Sequence, residues 1–306
     1  MCYILAMKTL VLAACVAWPL AAQMAGFSRE QLIRYTPLNP FARFEDGRPK
    51  VPEEWLERLK PCSSEELWGT LRGAGYVNQW EGGWRILHPN KKLIGRAVTA
   101  QFLPLRPDLN GIIDADARSA GLGPQQNQRV IDRLRPGDVV VVDLFGKIEN
   151  GTFVGDNLAT AIYTATGTGI VVEGAVRDLE GIQPLGMPAY IRGVHPSAIG
   201  NVMLTGINVP IRVGGVTVMP GDVVFGDNEG VTFVPPHLVE RVVEQAEDTQ
   251  LKDRWTQDKL RTGKYKSSDL YPTPREAALK KEYEEWLARE KARRKNRGGT
   301  PKEERR

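Results

Sequence analysis

Two phrases constrain the fold more than any other part of the chain. Pro136-Gly137-Asp138-Val-Val-Val-Val-Asp143 and Pro220-Gly221-Asp222-Val-Val-Phe-Gly-Asp227 each set a tight turn directly ahead of an apolar run. Proline and glycine suit the turn, and the uninterrupted run reads as a strand buried on both faces. Strand and helix signals alternate between the two phrases. Gly151–Val154 reads as extended, 157–166 as helix, 170–173 as strand, 175–181 as helix and 188–191 as strand. Upstream, Leu93–Phe102 alternates with the period of a strand. After Val209 come short β segments broken at Gly214-Gly215, Pro220-Gly221 and Asn228–Gly230. Pro235-Pro236 then opens a helix over 236–261, with Leu238, Val242, Val243 and Ala246 at helical spacing. The expected fold class is α/β, a mixed β/α body with a substantial β-layer.

The flanks differ from this body. With 306 residues the chain can hold one full core with decoration, or two modest domains. The run Thr9–Ala22 follows a single positive charge at Lys8 and ends on small residues. It is too short to span a bilayer and has the shape of a secretory leader over 1–22, which implies export rather than cytoplasmic residence. Leu12-Ala13-Ala14-Cys15 resembles a lipoprotein processing box, ranked below simple cleavage. No membrane span is expected in the mature chain. Residues 23–60, rich in proline and aromatics, read as an irregular arm on a body over 61–263. Ser63 and Glu66 mark the start of a helix running to about Gly73. A charged tail fills 264–306, read as a solvated helix that frays after Gly298-Gly299. Residues 275–306 hold twelve Lys and Arg against seven Asp and Glu, so the formal charge of +4 belongs to the tail. Nucleic acid is therefore not an expected partner of the core.

Composition also limits the chemistry. Cys62 is the one cysteine outside the leader, and the histidines are His88, His195 and His237. No disulfide framework or thiolate zinc site can be built from these. A metal here must be held by carboxylates, carbonyls and water, which favours Mg²⁺ or Mn²⁺.

One constellation supplies such groups. Gly155-Asp156-Asn157 opens the helix over 157–166, and Arg177-Asp178 falls in the first turn of the one over 175–181, so two helix N-termini could meet at one site. A carboxylate at a helix start, such as Asp178, is favoured in its ionised form, and one carboxylate plus several waters is the usual way proteins hold Mg²⁺. Arg177 offers a planar fork that matches a substrate carboxylate. Asp156 and the amides of Asn157 and Leu158 form a helix N-terminus able to hold an oxyanion. Capping and surface pairing explain each residue singly, so the combination carries the case. Arg192 could reach the same pocket or make a structural ion pair, and His195 is a weaker candidate base. Asp143 is a supporting candidate at a strand end, while turn chemistry accounts for Asp227 and Glu229. The tryptophans at 55, 68, 80 and 84 read as core and interface anchors.

Gly155-Asp156, twenty residues (157–176) and Arg177-Asp178 together resemble the signature of the RraA-like proteins. These comprise the regulator of ribonuclease activity A and the class II 4-hydroxy-4-methyl-2-oxoglutarate aldolases. The likeness extends through Gly155–Thr160, Val172–Leu179, Leu185–Pro188, Arg192-Gly193, Gly221-Asp222 and Gly95–Thr99, and covers residues 60–263. The resemblance implies a swivelling β/β/α fold, assembled as a homotrimer or a hexamer with sites at subunit interfaces. It implies that Asp178 binds Mg²⁺ (or Mn²⁺), that Arg177 binds a small keto-acid, and that Asp156 orders water on the metal. The amides after Asp156, with Gly155, hold the pyruvate moiety. An acid on the neighbouring subunit's last body helix completes the site, and Asp253 stands there where the family pattern implies Glu. The expected activity is metal-dependent cleavage of 4-hydroxy-2-oxo dicarboxylic acids to pyruvate, with oxaloacetate decarboxylation as a side reaction. The alternative is a non-enzymatic regulator that binds ribonuclease E. No glycine-rich fingerprint for a nucleotide-like methyl donor is present.

Overall fold

The computed structural model describes residues 26–297, with side chains through Arg294. The leader over 1–22 and the tail after Gly298 lie outside the described residues.

Three successive βα units build the centre. Strand β3 (Leu93–Pro104) is followed by α4 (Pro107–Ser119) and α5 (Gln126–Ile131), then by β4 (Asp138–Lys147). Helix α6 (Asp156–Thr166) leads to β5 (Ile170–Val176), and the short α7 (Leu179–Ile182) leads to β6 (Ala189–Val194). The four strands pair in parallel in chain order, Val98 opposite Val140, Val140 opposite Ile170, and Ile170 opposite Ala189. Antiparallel strands close both flanks. Beside β3 run β10 (Val223–Gly226), β11 (Val231–Val234) and β1 (Trp80–Glu81), while β2 (Arg85–Leu87) pairs with β6. Strand β7 (Val202–Ile207) pairs with the far half of β3 past a register shift at Gln101/Phe102.

Side chains alternate between two cores. Val140, Val142, Ile170, Val172 and Ile191 pack with Val130, Ala159 and Ile162 of the helices on one face. Val139, Val141, Val171, Tyr190 and Phe233 pack on the other against the hairpin of β8 (Ile211–Val213) and β9 (Val216–Val218). Each buried strand reads as a continuous apolar run because both its faces are covered. Both Pro-Gly-Asp phrases deliver strands that flank β3, namely β4 and β10.

Residues read as an irregular arm contain two helices, α1 (Arg29–Tyr35) and α2 (Glu53–Leu59). Their short turns escape hydrophobic periodicity because packing and capping hold them, with Ser28 and Gln31 forming a capping box on α1. Arg48 pins the arm. Its guanidinium is buried against the Asp138 carboxylate at 3.0 Å, with Asp46 on its other edge at 2.8 Å. Helices α2, α3 (Ser64–Gly73) and α8 (Val239–Arg261) form a further core over β10 and β11. Ser63 caps α3 as its sequence predicts.

The tail also differs from expectation. Within the described residues, α9 (Ser267–Leu270) and α10 (Ala277–Arg297) fold back on α8 rather than standing in solvent. Trp255, Leu270 and Leu279 are buried together, with Tyr283 and Trp286 packed against them. The apolar stripe is sparse, but its few large residues meet one matching tryptophan.

Candidate functional site

The strand β5 runs three residues further than its apolar run suggests, so Arg177 and Asp178 do not lie in a helical turn. They form the bend between β5 and α7, and the expected helix over 175–181 is reduced to Leu179–Ile182. Pairing of Ala175 and Val176 with Gly193 and Val194 explains the extension. Asp178 sits at the N-cap with φ +56°, in the left-handed region that a short polar side chain tolerates better than most. The adoption of this conformation by a residue other than glycine, at the end of a parallel strand, marks a backbone held in place by its surroundings.

The loop before α6 approaches this bend directly. The Arg177 amide donates to the Val154 carbonyl at 3.0 Å, and the Phe153 amide donates to Ala175 at 2.8 Å. Gly155 is the N-cap of α6. A Cβ placed there would collide with Asp178 Oδ2 and come within 3.1 Å of Arg177 Nε. Asp156 leans the other way, since a Cβ on Gly181 would stand 2.6 Å from its Cβ and Oδ2. Gly155 therefore lets the Arg177 and Asp178 side chains sit against the first turn of an eleven-residue helix, while the Asp156 side chain packs over Gly181. Arg177 Nη1 lies 3.5 Å from Asp178 Oδ2, and both side chains are more than a third exposed, at 39% and 37%. They are held yet open to a ligand. Asp156 Oδ1 accepts the Asn157 amide at 2.7 Å, and Asn157 is exposed at the helix start.

Two cavities meet at Arg177. The first, about 370 Å³, is lined by Arg177, Asp178, Leu179, Glu180, Val194, His195 and Pro196. His195 Nδ1 accepts the Ser197 amide at 3.2 Å, which places the proton of the neutral ring on Nε2. The second, about 250 Å³, is bounded by Gly155, Leu158 and Arg177 together with Gln125, Asn127, Gln128 and Thr152. The polar residues of α5 were invisible to sequence reading, because nothing local signals a wall supplied from fifty residues away.

Other candidates find structural partners. Arg192 bonds Glu173 and Glu81 at 3.0 and 2.6 Å and lies 3.8 Å from the centre of the Trp84 ring. Asp227 binds the amide and hydroxyl of Ser64 at 2.8 Å, so it anchors α3. Asp143 is buried in the middle of β4 rather than at a strand end, because the strand continues to Lys147; desolvation there pushes its carboxyl up and the Phe145 amide opposes the shift. Asp253 lies on α8, which lines neither cavity at Arg177. Burial raises the Tyr283 phenol of α10, and the charges of Asp248 and Asp253 add to this.

Among the described residues no cluster of three or more His, Cys, Asp or Glu could enclose a metal. The donor set at the bend is two exposed carboxylates beside solvent, Asp178 and Glu180, which fits a hydrated Mg²⁺-type ion rather than a caged one.

The family model described as RraA-like, Aldolase/RraA, matches residues 67–233. A protein of Halalkalibacterium halodurans, provisionally named 4-hydroxy-4-methyl-2-oxoglutarate aldolase, is 33% identical over 159 residues, covering 51% of this chain and 74% of its own. Protein DlpA of Legionella pneumophila is 29% identical over 219 residues. That match takes in 70% of this chain but only 32% of DlpA, so the chain spans about a third of that relative. Among solved structures, RraAS2 of Streptomyces coelicolor, described as an unusual member of the RNase ES inhibitor RraA protein family, is 27% identical. It superposes with a TM-score of 0.60 over 71% of this chain and 99% of its own. The architecture expected from the signature is therefore the observed one.

Proposed function

This chain belongs to the RraA-like family, and on that premise we propose that it is a divalent-metal-dependent lyase releasing pyruvate from 4-hydroxy-2-oxo acids. Dicarboxylates of the 4-hydroxy-4-methyl-2-oxoglutarate type are the reference substrates, and oxaloacetate decarboxylation is the expected side reaction. The observation that carries the reading is the placing of Arg177 and Asp178 against the first turn of α6, made possible by Gly155.

Each residue has a role the geometry supports. Arg177 binds the 2-oxo acid carboxylate through its fork and stays beside the oxygen that becomes the enolate. The Leu158 amide in the first turn of α6, which no carbonyl within the helix can serve, adds a donor of the same sign, while that of Asn157 is already taken by Asp156 Oδ1. Asp178 would hold Mg²⁺ or Mn²⁺, which supplies Lewis-acid stabilisation of the enolate oxygen. Asp156 keeps the helix start and its neighbouring water oriented. No lysine lines either cavity, so the chemistry runs without an imine. Aldol cleavage and β-keto-acid decarboxylation share the pyruvate enolate, which is why one site serves both.

The test is pyruvate release from 4-hydroxy-4-methyl-2-oxoglutarate and from oxaloacetate, with Mg²⁺ and with chelator. Turnover that depends on the metal supports the reading, and turnover untouched by chelator contradicts it. Likeness to RraAS2 favours a second reading, a ring that binds a ribonuclease E-type enzyme. Cell fractionation separates the two, since a chain exported through its leader never meets a cytoplasmic ribonuclease.

A further inference from the structure

The two Pro-Gly-Asp phrases share a turn but not a partner. In the first, Asp138 is fully buried and both its oxygens are engaged. Its Oδ2 accepts the amide of Arg135, three residues earlier, at 2.9 Å, and the Arg48 guanidinium grips the two oxygens at 3.0 and 3.3 Å. In the second, Asp222 is 3% exposed, and its Oδ2 accepts the amide of Met219, again three residues earlier, at 2.8 Å. There the likeness stops. Among the described residues nothing donates to Asp222 Oδ1, and no cation opposes its charge. Burial pushes the carboxyl up to about 7, with the Met219 amide as the one opposing influence.

The arm accounts for the difference. Arg48 reaches the first phrase, while Pro49 lies on Gly221 of the second, where a Cβ would stand 2.5 Å from the proline Cδ. One carboxylate receives a guanidinium and the other only a wall. Behind that wall is a cavity of about 310 Å³, with Asp222 in its lining beside Tyr35, Leu38, Tyr76, Met219 and His237. Other polar side chains of the lining are engaged elsewhere. Gln79 donates to Phe233 O at 2.8 Å and Asn39 to Phe41 O at 2.7 Å, and His237 Nε2 meets the Tyr76 hydroxyl at 3.1 Å. Burial pulls the His237 ring below its ordinary range, so it brings no charge near neutrality. The cavity shares no lining residue with the two at Arg177.

We propose that this cavity binds a small organic cation, an amidinium or ammonium group on a flat apolar body, with Asp222 as its counter-ion in the place that Arg48 fills for Asp138. A largely apolar lining that holds one unpaired carboxyl prefers such a ligand to a neutral or anionic one of the same shape. The rings of Tyr35 and Tyr76 suit both the apolar body and the charge. The volume lies at the small end of the range for ligand sites, which points to a single-ring body. This site is independent of the pyruvate-forming reading.

The test titrates the full-length protein at pH 8 with benzamidine, benzamide and benzoate, which share a shape and carry positive, zero and negative charge. Calorimetry should give benzamidine a Kd at least tenfold below that of benzamide, with no saturable heat from benzoate. Asp222→Asn should remove that advantage while benzamide binds as before. Should Asp222→Asn fail to fold, Thr217→Lys takes its place. Position 217 is exposed on β9 within the same lining, and an ammonium of the chain's own there should cost benzamidine at least tenfold. Benzamidine that binds no tighter than benzamide, or whose advantage survives the substitution, overturns the proposal. So does the absence of benzamidine binding, the result expected if a side chain of a second copy fills the space.

Discussion

At the residue scale the site depends on two absent side chains as much as on three present ones. Alanine at 155 would force its methyl into the Asp178 carboxylate and the Arg177 stem, while its backbone angles (φ −109°) are open to any residue. Gly155→Ala should therefore lower pyruvate release at least tenfold while thermal unfolding moves by only a few degrees, as calorimetry and turnover on one preparation would show. A loss of folding instead of activity would mean that the glycine serves the backbone. Asp222 offers a test away from the site. It is fully buried, and desolvation pushes its carboxyl up to about 7, opposed only by the Met219 amide at 2.8 Å. The folded state thus retains a proton that the unfolded chain has released above its ordinary carboxylate range. Stability should fall as pH rises from about 4 to about 7 and level off beyond, by up to ~4 kcal/mol from this group. Asp222→Asn keeps an acceptor for Met219 and should flatten that slope in urea unfolding at pH 5 and pH 8. The Asp156–Arg177–Asp178 signature was legible in the sequence because its spacing is fixed by one helix and one strand. The left-handed Asp178 was not, since a short polar residue after a strand reads equally well as a helix start.

At the element scale, legibility followed periodicity. The parallel strands, α6, α8 and the Ser63-capped α3 all carry either an apolar run or a capping box, and each lies close to where the letters put it. What failed lacked an apolar run long enough to read, even where a capping box was present, as on α1. The helices of the arm are seven residues each, about two turns, held by capping and packing beside the Arg48 anchor, and α5 presents polar residues because its exposed end walls a cavity. Helix α10 looked too polar to dock, yet Trp255, Leu270 and Leu279 bury one another beside Tyr283, with Lys291 and Arg294 bonded to Asp248 at 2.6 and 3.3 Å. Exposed ion pairs of that kind add little, so the aromatic contact should hold the hairpin. Trp255→Ala is expected to raise amide exchange across 277–297 by tenfold or more while β3–β6 remain protected. Equal loss of protection in the sheet would show that α10 belongs to the main core.

At the scale of the whole molecule, the central sheet buries both faces, and no described helix is long and apolar enough to cross a membrane. Assembly as a homotrimer or hexamer, with Asp253 offered across a subunit boundary, remains a proposal that family membership motivates. Light scattering should give three or six times the 34.0 kDa chain mass, less any leader, and a monomer would remove the acid from the site. The claim on which everything else stands is smaller, that Asp178 and Arg177 together hold one hydrated cation beside one small dianion. Mn²⁺ titration followed by electron paramagnetic resonance, with and without oxalate as a mimic of the pyruvate enolate, measures this without needing turnover. Asp178→Asn tolerates the same left-handed backbone and removes only the charge. Oxalate should tighten Mn²⁺ binding at least tenfold in the native protein, with the effect lost in Asp178→Asn and reduced in Arg177→Ala. Mn²⁺ affinity that is the same in all three proteins, or indifferent to oxalate, would contradict the account.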